Sequence, residues 1–173
     1  MKKILVTGPE SSGKSALCQQ LAASLPAADW IPEYARAYLE GIGRPYVQED
    51  LLHIARGQCQ SEDMYPHSDK HWLFCDTGPE VVYVWSMVKY GMADPWIEAA
   101  VTDRRYDFYL LCYPDLPWEE DPLREAPSPA ERLRLFQQYE LLLRRLQRPF
   151  AVVREAGAER VRNALQALRT HTV

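Results

Sequence analysis

Eight residues near the N-terminus carry the most specific chemistry in this chain. Gly8-Pro9-Glu10-Ser11-Ser12-Gly13-Lys14-Ser15 satisfies the pattern G-x-x-x-x-G-K-[ST] at every constrained position. Glycines at this spacing let the backbone wrap so that successive N–H groups face a β-phosphate. The N-terminus of a following helix adds partial positive charge. A lysine at this point bridges β- and γ-phosphates, and the next hydroxyl ligates Mg²⁺. Gly8, Glu10, Ser11, Ser12, Gly13, Lys14, Ser15 and Ala16 are therefore expected to hold a nucleoside triphosphate, with Mg²⁺ on Ser15.

Asp76 closes the apolar run Trp72-Leu73-Phe74-Cys75. An acid at the carboxyl end of a buried strand is how P-loop proteins hold Mg²⁺ through its waters. Asp115 is a competitor for that role, whereas Asp107 lies near the start of its strand. Pro32-Glu33-Tyr34-Ala35-Arg36 follows a short strand candidate, Trp30-Ile31. Ligands of open α/β sheets sit beyond the carboxyl ends of the strands. Glu33 is then placed to accept a proton from an attacking hydroxyl. Trp30 and Tyr34 could stack on a flat base, and Arg36 could hold a phosphate or carboxylate. The same five residues read equally well as a solvated turn with a surface ion pair.

Tyr113 to Pro127 is rich in Pro and charge and has no periodicity. Long loops inside compact domains commonly serve function. Here a lid over about residues 113–134 is expected, bearing Arg124, Arg132, Arg134 and Trp118. Arg124 is the best placed of the arginines to offset phosphoryl charge, because Arg132 and Arg134 point in different directions on a helix. Arg144, Arg145 and Arg148 read as solvent-facing.

These residues need a scaffold with alternating strands and helices, and the pattern supplies one. Strands are expected at Ile4–Thr7, Trp30-Ile31, Trp72–Cys75, Tyr106–Cys112 and Phe150–Val153. Helices are expected from Lys14 to Leu25, over Gln48–Asp63, from Pro79, from Asp94-Pro95, from a Ser128-Pro129-Ala130-Glu131 capping box, and at the C-terminus. The result is one α/β domain over 1–173 with a five-stranded, mostly parallel sheet.

Composition narrows the classes. The net charge is −4 and the pI about 5.6, which disfavours a non-specific nucleic-acid binder. No apolar run approaches a membrane span, so a cytoplasmic protein is expected. Cys18, Cys59, Cys75 and Cys112 form no CxxC and read as reduced core thiols. There is no G-x-S-x-G, and His53, His67, His71 and His171 have no metal spacing.

Taken in order, the P-loop, Pro32–Arg36, Cys75-Asp76-Thr77, Tyr106–Leu111 and Leu116-Pro117-Trp118-Glu119-Glu120-Asp121-Pro122-Leu123-Arg124 resemble the ribosylnicotinamide kinase domain of NadR-like proteins. The resemblance covers nearly the whole chain. It implies a three-layer αβα P-loop NTPase fold of the nucleoside-kinase type, with a closing lid. It implies ATP, Mg²⁺ and phosphorylation of the 5′-hydroxyl of nicotinamide riboside. Lys14 and Ser15 fall to phosphate and metal, and Asp76 to the metal and acceptor neighbourhood. Glu33, Tyr34 and Arg36 fall beside the nucleoside, and Arg124 is the lid arginine. The H-x-G-H adenylyltransferase motif of those proteins is absent from these residues. Their pattern has Trp directly before E-Y-x-R, where this chain has Pro32; the nearest Trp is Trp30. Pro122 stands where Gly is usual, which would stiffen closure. Two other readings remain open at this point: an NTP-driven switch acting on a protein, and a kinase for a nucleoside monophosphate using Arg36, Arg104 and Arg105.

Overall fold

The computed structural model describes residues 1–66 and 69–171; His67 lies outside them. Five strands form one sheet: β1 (Lys2–Thr7), β2 (Ala28–Ile31), β3 (Trp72–Asp76), β4 (Phe108–Cys112) and β5 (Phe150–Val153). Their order is β2-β3-β1-β4-β5 and every pairing is parallel. The sheet is thus wholly rather than mostly parallel. Parallel sheets are covered on both faces, so their strands read as continuous apolar runs. Ile4, Leu5 and Val6 are all fully buried, which is why they show no alternation.

Period-two side-chain direction divides those runs between two cores. Ile4, Val6, Phe74, Phe108 and Leu110 face α1 (Lys14–Ser24) and α7 (Gly157–His171). Leu5, Ile31, Leu73, Cys75, Tyr109 and Leu111 face the opposite layer. That layer holds α3 (Gln48–Asp63), α4 (Pro79–Tyr90), α5 (Pro95–Asp103) and α6 (Pro129–Arg145). The three-layer αβα arrangement brings the carboxyl ends of all strands to one edge. There β1 leads into the P-loop, β3 ends on Asp76 and β4 opens the lid. Because β1 lies between β3 and β4, the crevice at that edge sits where the chain direction of winding reverses.

Three local expectations change. Pro32–Arg36 is not a turn: α2 (Tyr34–Gly41) begins there, with Glu33 in its N-cap position. Its eight residues are amphipathic, but they are few, they follow Pro32 closely and no side chain caps them, so in sequence the segment reads as a turn. Pro129 does open α6, but the Ser128 side chain makes no capping bond. Arg148 is buried rather than solvent-facing, and donates to the carbonyls of Val101, Thr102 and Arg104 at 2.8–3.0 Å. It closes the C-terminal end of α5, where carbonyls lack helical partners. All four cysteines are free and buried, as expected.

Candidate active site

The P-loop follows β1 and turns on residues with positive φ: Gly8 at 135°, Ser11 at 52° and Gly13 at 75°. A Cβ on Gly8 would stand 2.7 Å from the Cys112 carbonyl oxygen, so only glycine lets the loop pack on the end of β4. Ser12 Oγ donates to the Pro9 carbonyl at 2.6 Å and Lys14 Nζ donates to the same oxygen at 3.0 Å. The ammonium is thereby held over the loop. Ser15, one residue into α1, is exposed.

Behind it stands Asp76, 1% exposed, with neither carboxylate oxygen satisfied by a hydrogen bond. The Ser15 hydroxyl is near enough to favour its charged form without closing a bond of ordinary geometry. Burial first, and then the charge of Glu33, push its pKa up to about 6 against the opposing pull of Lys14. A buried, unpartnered carboxylate needs a cation or a proton. One hydroxyl and one acid, with the rest of the shell from waters and phosphates, matches the habit of Mg²⁺. No group of three or more His, Cys, Asp or Glu able to cage a metal occurs among the described residues. The residues present therefore fit a phosphate-bound Mg²⁺ and not an all-protein metal site.

Asp76 has a stability cost with a definite sign. A carboxylate whose folded pKa exceeds its unfolded value destabilises the fold as pH rises through the interval between them, here from 3.8 to about 6. The penalty in the nucleotide-free protein reaches ~3 kcal/mol above that interval. Asp76→Asn is therefore expected to raise the melting temperature at pH 7.5 and to raise it far less near pH 4. Equal shifts at both pH values would show that charge is not the cause.

A cavity of about 970 Å³ opens over these groups. The P-loop lines one end. Glu33, Ala35, Arg36 and Leu39 line another wall, with Ile54 and Gln58 of α3, Val81, Val82, Trp85 and Lys89 of α4, and Leu135 and Tyr139 of α6. The segment expected to form a lid borders the mouth through Leu116, Pro117, Glu119, Leu123, Glu125 and Ala126. Glu10 accepts from the backbone N–H groups of Glu125, at 3.1 Å, and of Ala126. Arg36 pairs with Asp121 at 2.8 Å, and Lys89 with Glu125 at 2.8 Å. Leu116 rests so closely on the P-loop that a Cβ on Gly13 would lie 2.8 Å from its Cδ1. Arg124 lines the cavity and donates to the Glu119 carbonyl at 2.7 Å.

The family described as AAA domain matches residues 3–160. The chain belongs to the AAA-domain family. It is 27% identical over 135 residues to the trifunctional NAD biosynthesis/regulator protein NadR of Salmonella typhimurium and to that of Escherichia coli. Each match covers 76% of this chain and 33% of the relative, so the chain spans about a third of the curated relatives' length. A solved NadR protein in complex with NR superposes with a TM-score of 0.84 at 22% identity, over 99% of this chain and 51% of that one. Thymidylate kinase from Candida albicans gives 0.75 at 12% identity, over 99% and 92%. Deoxyadenosine kinase from M. mycoides gives 0.64 at 13%, over 99% and 100%. The fold of this AAA-domain chain is thus that of P-loop nucleoside and nucleotide kinases, and the NadR resemblance is borne out.

Within the AAA-domain chain the expected site residues divide. The P-loop residues, Glu33, Arg36 and Arg124 share the cavity, with Asp76 buried beside it. Three aromatic residues do not line it. Trp30 packs with the α1–α7 core on the opposite face of the sheet, because its position in β2 pairs with Phe74. The ring of Tyr34 lies over Gly57, where a Cβ would meet it at 2.1 Å. Trp118 is packed within the lid, 6.0 Å from Arg124 and 5.8 Å from Arg132. Arg132 is itself buried and donates to the Leu116 carbonyl at 2.9 Å. Arg104 is also elsewhere, paired with Glu62 and Asp63 beside the start of β4. Asp115 is committed to Arg160 and to the N–H of Glu155.

Two residues near Asp76 received no role from the sequence, although Thr77 stands in the Cys75-Asp76-Thr77 motif. Thr77 has φ 70°, an outlier for a β-branched residue, of the kind that collects at functional sites. Gln58 is 2% exposed, donates to the Thr77 carbonyl at 3.2 Å and accepts from the Tyr34 N–H at 2.9 Å. One amide therefore ties the backbone next to Glu33 to the backbone next to Asp76. A glutamine inside a helix carries no sequence mark of such a role.

Proposed function

We propose that the chain transfers the γ-phosphoryl group of ATP to the 5′-hydroxyl of a small nucleoside, with nicotinamide riboside the favoured acceptor. The observation that carries this reading is the extent of the cavity. It runs past the P-loop into a pocket walled by Leu39, Ile54, Val81, Val82, Trp85 and Leu135, with Glu33 at the junction. A nucleotide switch needs only the phosphate end. A kinase needs a second, partly apolar compartment for a flat acceptor.

The charges around that compartment favour a neutral or cationic acceptor over a monophosphate. Arg36 and Lys89 are each neutralised by a lid acid, and Arg104 is remote. The cavity lining balances Glu10, Glu33, Glu119, Glu125 and Glu131 against Lys14, Arg36, Lys89, Arg124 and Arg134, so it carries no surplus of cations for a second phosphate beyond the one the P-loop serves. The NadR name and the NR complex of its solved relative support the same acceptor.

In this mechanism the P-loop N–H groups and Lys14 orient the triphosphate. Ser15 and Asp76 would hold Mg²⁺, which would supply charge neutralisation at the phosphoryl oxygens. Glu33 takes the proton of the attacking 5′-hydroxyl as the new O–P bond forms and ADP leaves. Arg124 and the lid exclude water, so transfer outruns hydrolysis. Four free, buried cysteines support a cytosolic setting. No helix among the described residues is long and apolar enough to cross a membrane.

An ADP-release assay with ATP and Mg²⁺ tests the proposal, run without acceptor and then with nicotinamide riboside, other ribonucleosides and their monophosphates. Strong stimulation by nicotinamide riboside is expected, and little by monophosphates. Slow hydrolysis that no acceptor stimulates would sink the kinase reading in favour of a nucleotide switch.

A further inference from the structure

Phenol hydroxyls in protein interiors generally find partners, and several in this fold do. Half-buried Tyr38 donates to Asp50 at 2.8 Å, half-buried Tyr65 to Asp29 at 2.6 Å and buried Tyr106 to Glu62 at 2.9 Å. Tyr139 differs. It is 5% exposed, and its ring packs in the core with Phe136, Leu142 and Leu143. Its hydroxyl bonds to nothing among the described residues, yet the residue lines the cavity. The Tyr109 hydroxyl also closes no bond of ordinary geometry, but it is sealed inside the core beside the Glu80 carboxylate.

The surroundings of the Tyr139 hydroxyl select its partner. Burial, then the carboxylates of Glu33 and Glu10, push its pKa well above the ordinary value, so it stays a neutral donor at any working pH. A phosphoryl oxygen there would be repelled by both acids. An uncharged hydroxyl would not: it can accept from the phenol and give its own proton to a carboxylate. The kinase reading puts a sugar at this junction.

We propose, resting on that reading, that Tyr139 is an acceptor-specificity residue whose hydroxyl donates a hydrogen bond to a sugar hydroxyl of the nucleoside. It binds the acceptor and leaves ATP alone. Loss of one such bond at a buried site reduces affinity on the order of tenfold.

The experiment compares wild type and Tyr139→Phe, which keeps the ring and its packing. Substrates are the best ribonucleoside of the acceptor panel and its 2′-deoxy and 3′-deoxy forms. Tyr139→Phe is expected to raise acceptor KM about tenfold, with ATP KM and melting temperature unchanged. One deoxy form should suffer the same loss with wild type and no further loss with the variant, the signature of a shared contact. The wild-type discrimination against that deoxy form reads the same bond without any substitution. An unchanged acceptor KM, or deoxy and Phe penalties that simply add, would overturn the inference. So would an equal fall in kcat for every acceptor, which would put the hydroxyl on the phosphoryl group. Wild type that phosphorylates no nucleoside would instead refute the kinase reading, and this inference with it.

Discussion

Lys14→Ala is expected to lower kcat by about 10²–10³-fold or more, with the fold intact. Among the described residues its ammonium makes one hydrogen bond, to the Pro9 carbonyl at 3.0 Å, and the side chain belongs to neither core cluster. Its loss should therefore cost little stability. The transferring phosphoryl group, by contrast, carries its charge on oxygens that the ammonium must neutralise. The effect should fall mainly on kcat, because the charge to be stabilised is greatest in the transition state. Steady-state kinetics at saturating acceptor, with circular dichroism as the fold control, reads this directly. A variant that keeps even a tenth of wild-type kcat would mean that Lys14 is not at the reacting phosphate.

Glu33→Gln is the second large effect. General-base contributions are typically 10²–10⁴-fold, and a loss of that size in kcat is expected with ATP KM changed far less. Two carboxylates compete for the role. Asp76 is buried, pushed up to about 6 and set against Ser15, where a metal would claim it. Glu33 lines the cavity on the acceptor side. Only Glu33 is therefore free to meet an attacking hydroxyl. The pH profile separates them as well. With Glu33 as base, Asp76→Asn should raise the Mg²⁺ concentration needed for activity more than it changes the ascending limb of kcat against pH. Full kcat in Glu33→Gln would move the base to Asp76.

Much of this was legible without coordinates. The P-loop depends on residue types in a row, so its function is local. β1, β3 and β4 are short unbroken apolar runs, because a parallel sheet buries both faces, and α3 was read to its boundaries from Gln48 to Asp63. Local capping, periodicity and buried hydrophobic runs are written in neighbouring residues. The resemblance to NadR-like kinases likewise rests on contiguous motifs, and the NadR relatives agree with it.

What the tertiary structure decided is direction and partnership. Trp30 and Tyr34 are near Glu33 in sequence, yet one faces the far side of the sheet and the other packs on Gly57. Side-chain direction depends on strand register and helix phase, and a one-residue change reverses a strand's faces. Arg36, Lys89 and Glu10 are tied to lid residues between 36 and 116 positions away. Gln58 links the two carboxylate-bearing segments, and Tyr139 comes to the cavity from a helix that follows the lid. The sequence by itself determined the P-loop pattern and the αβα frame that carries it, because a phosphate cradle is built from adjacent backbone groups. Which side chains line the cavity beyond the P-loop emerged only on folding, because that wall is assembled from α2, α3, α4 and α6.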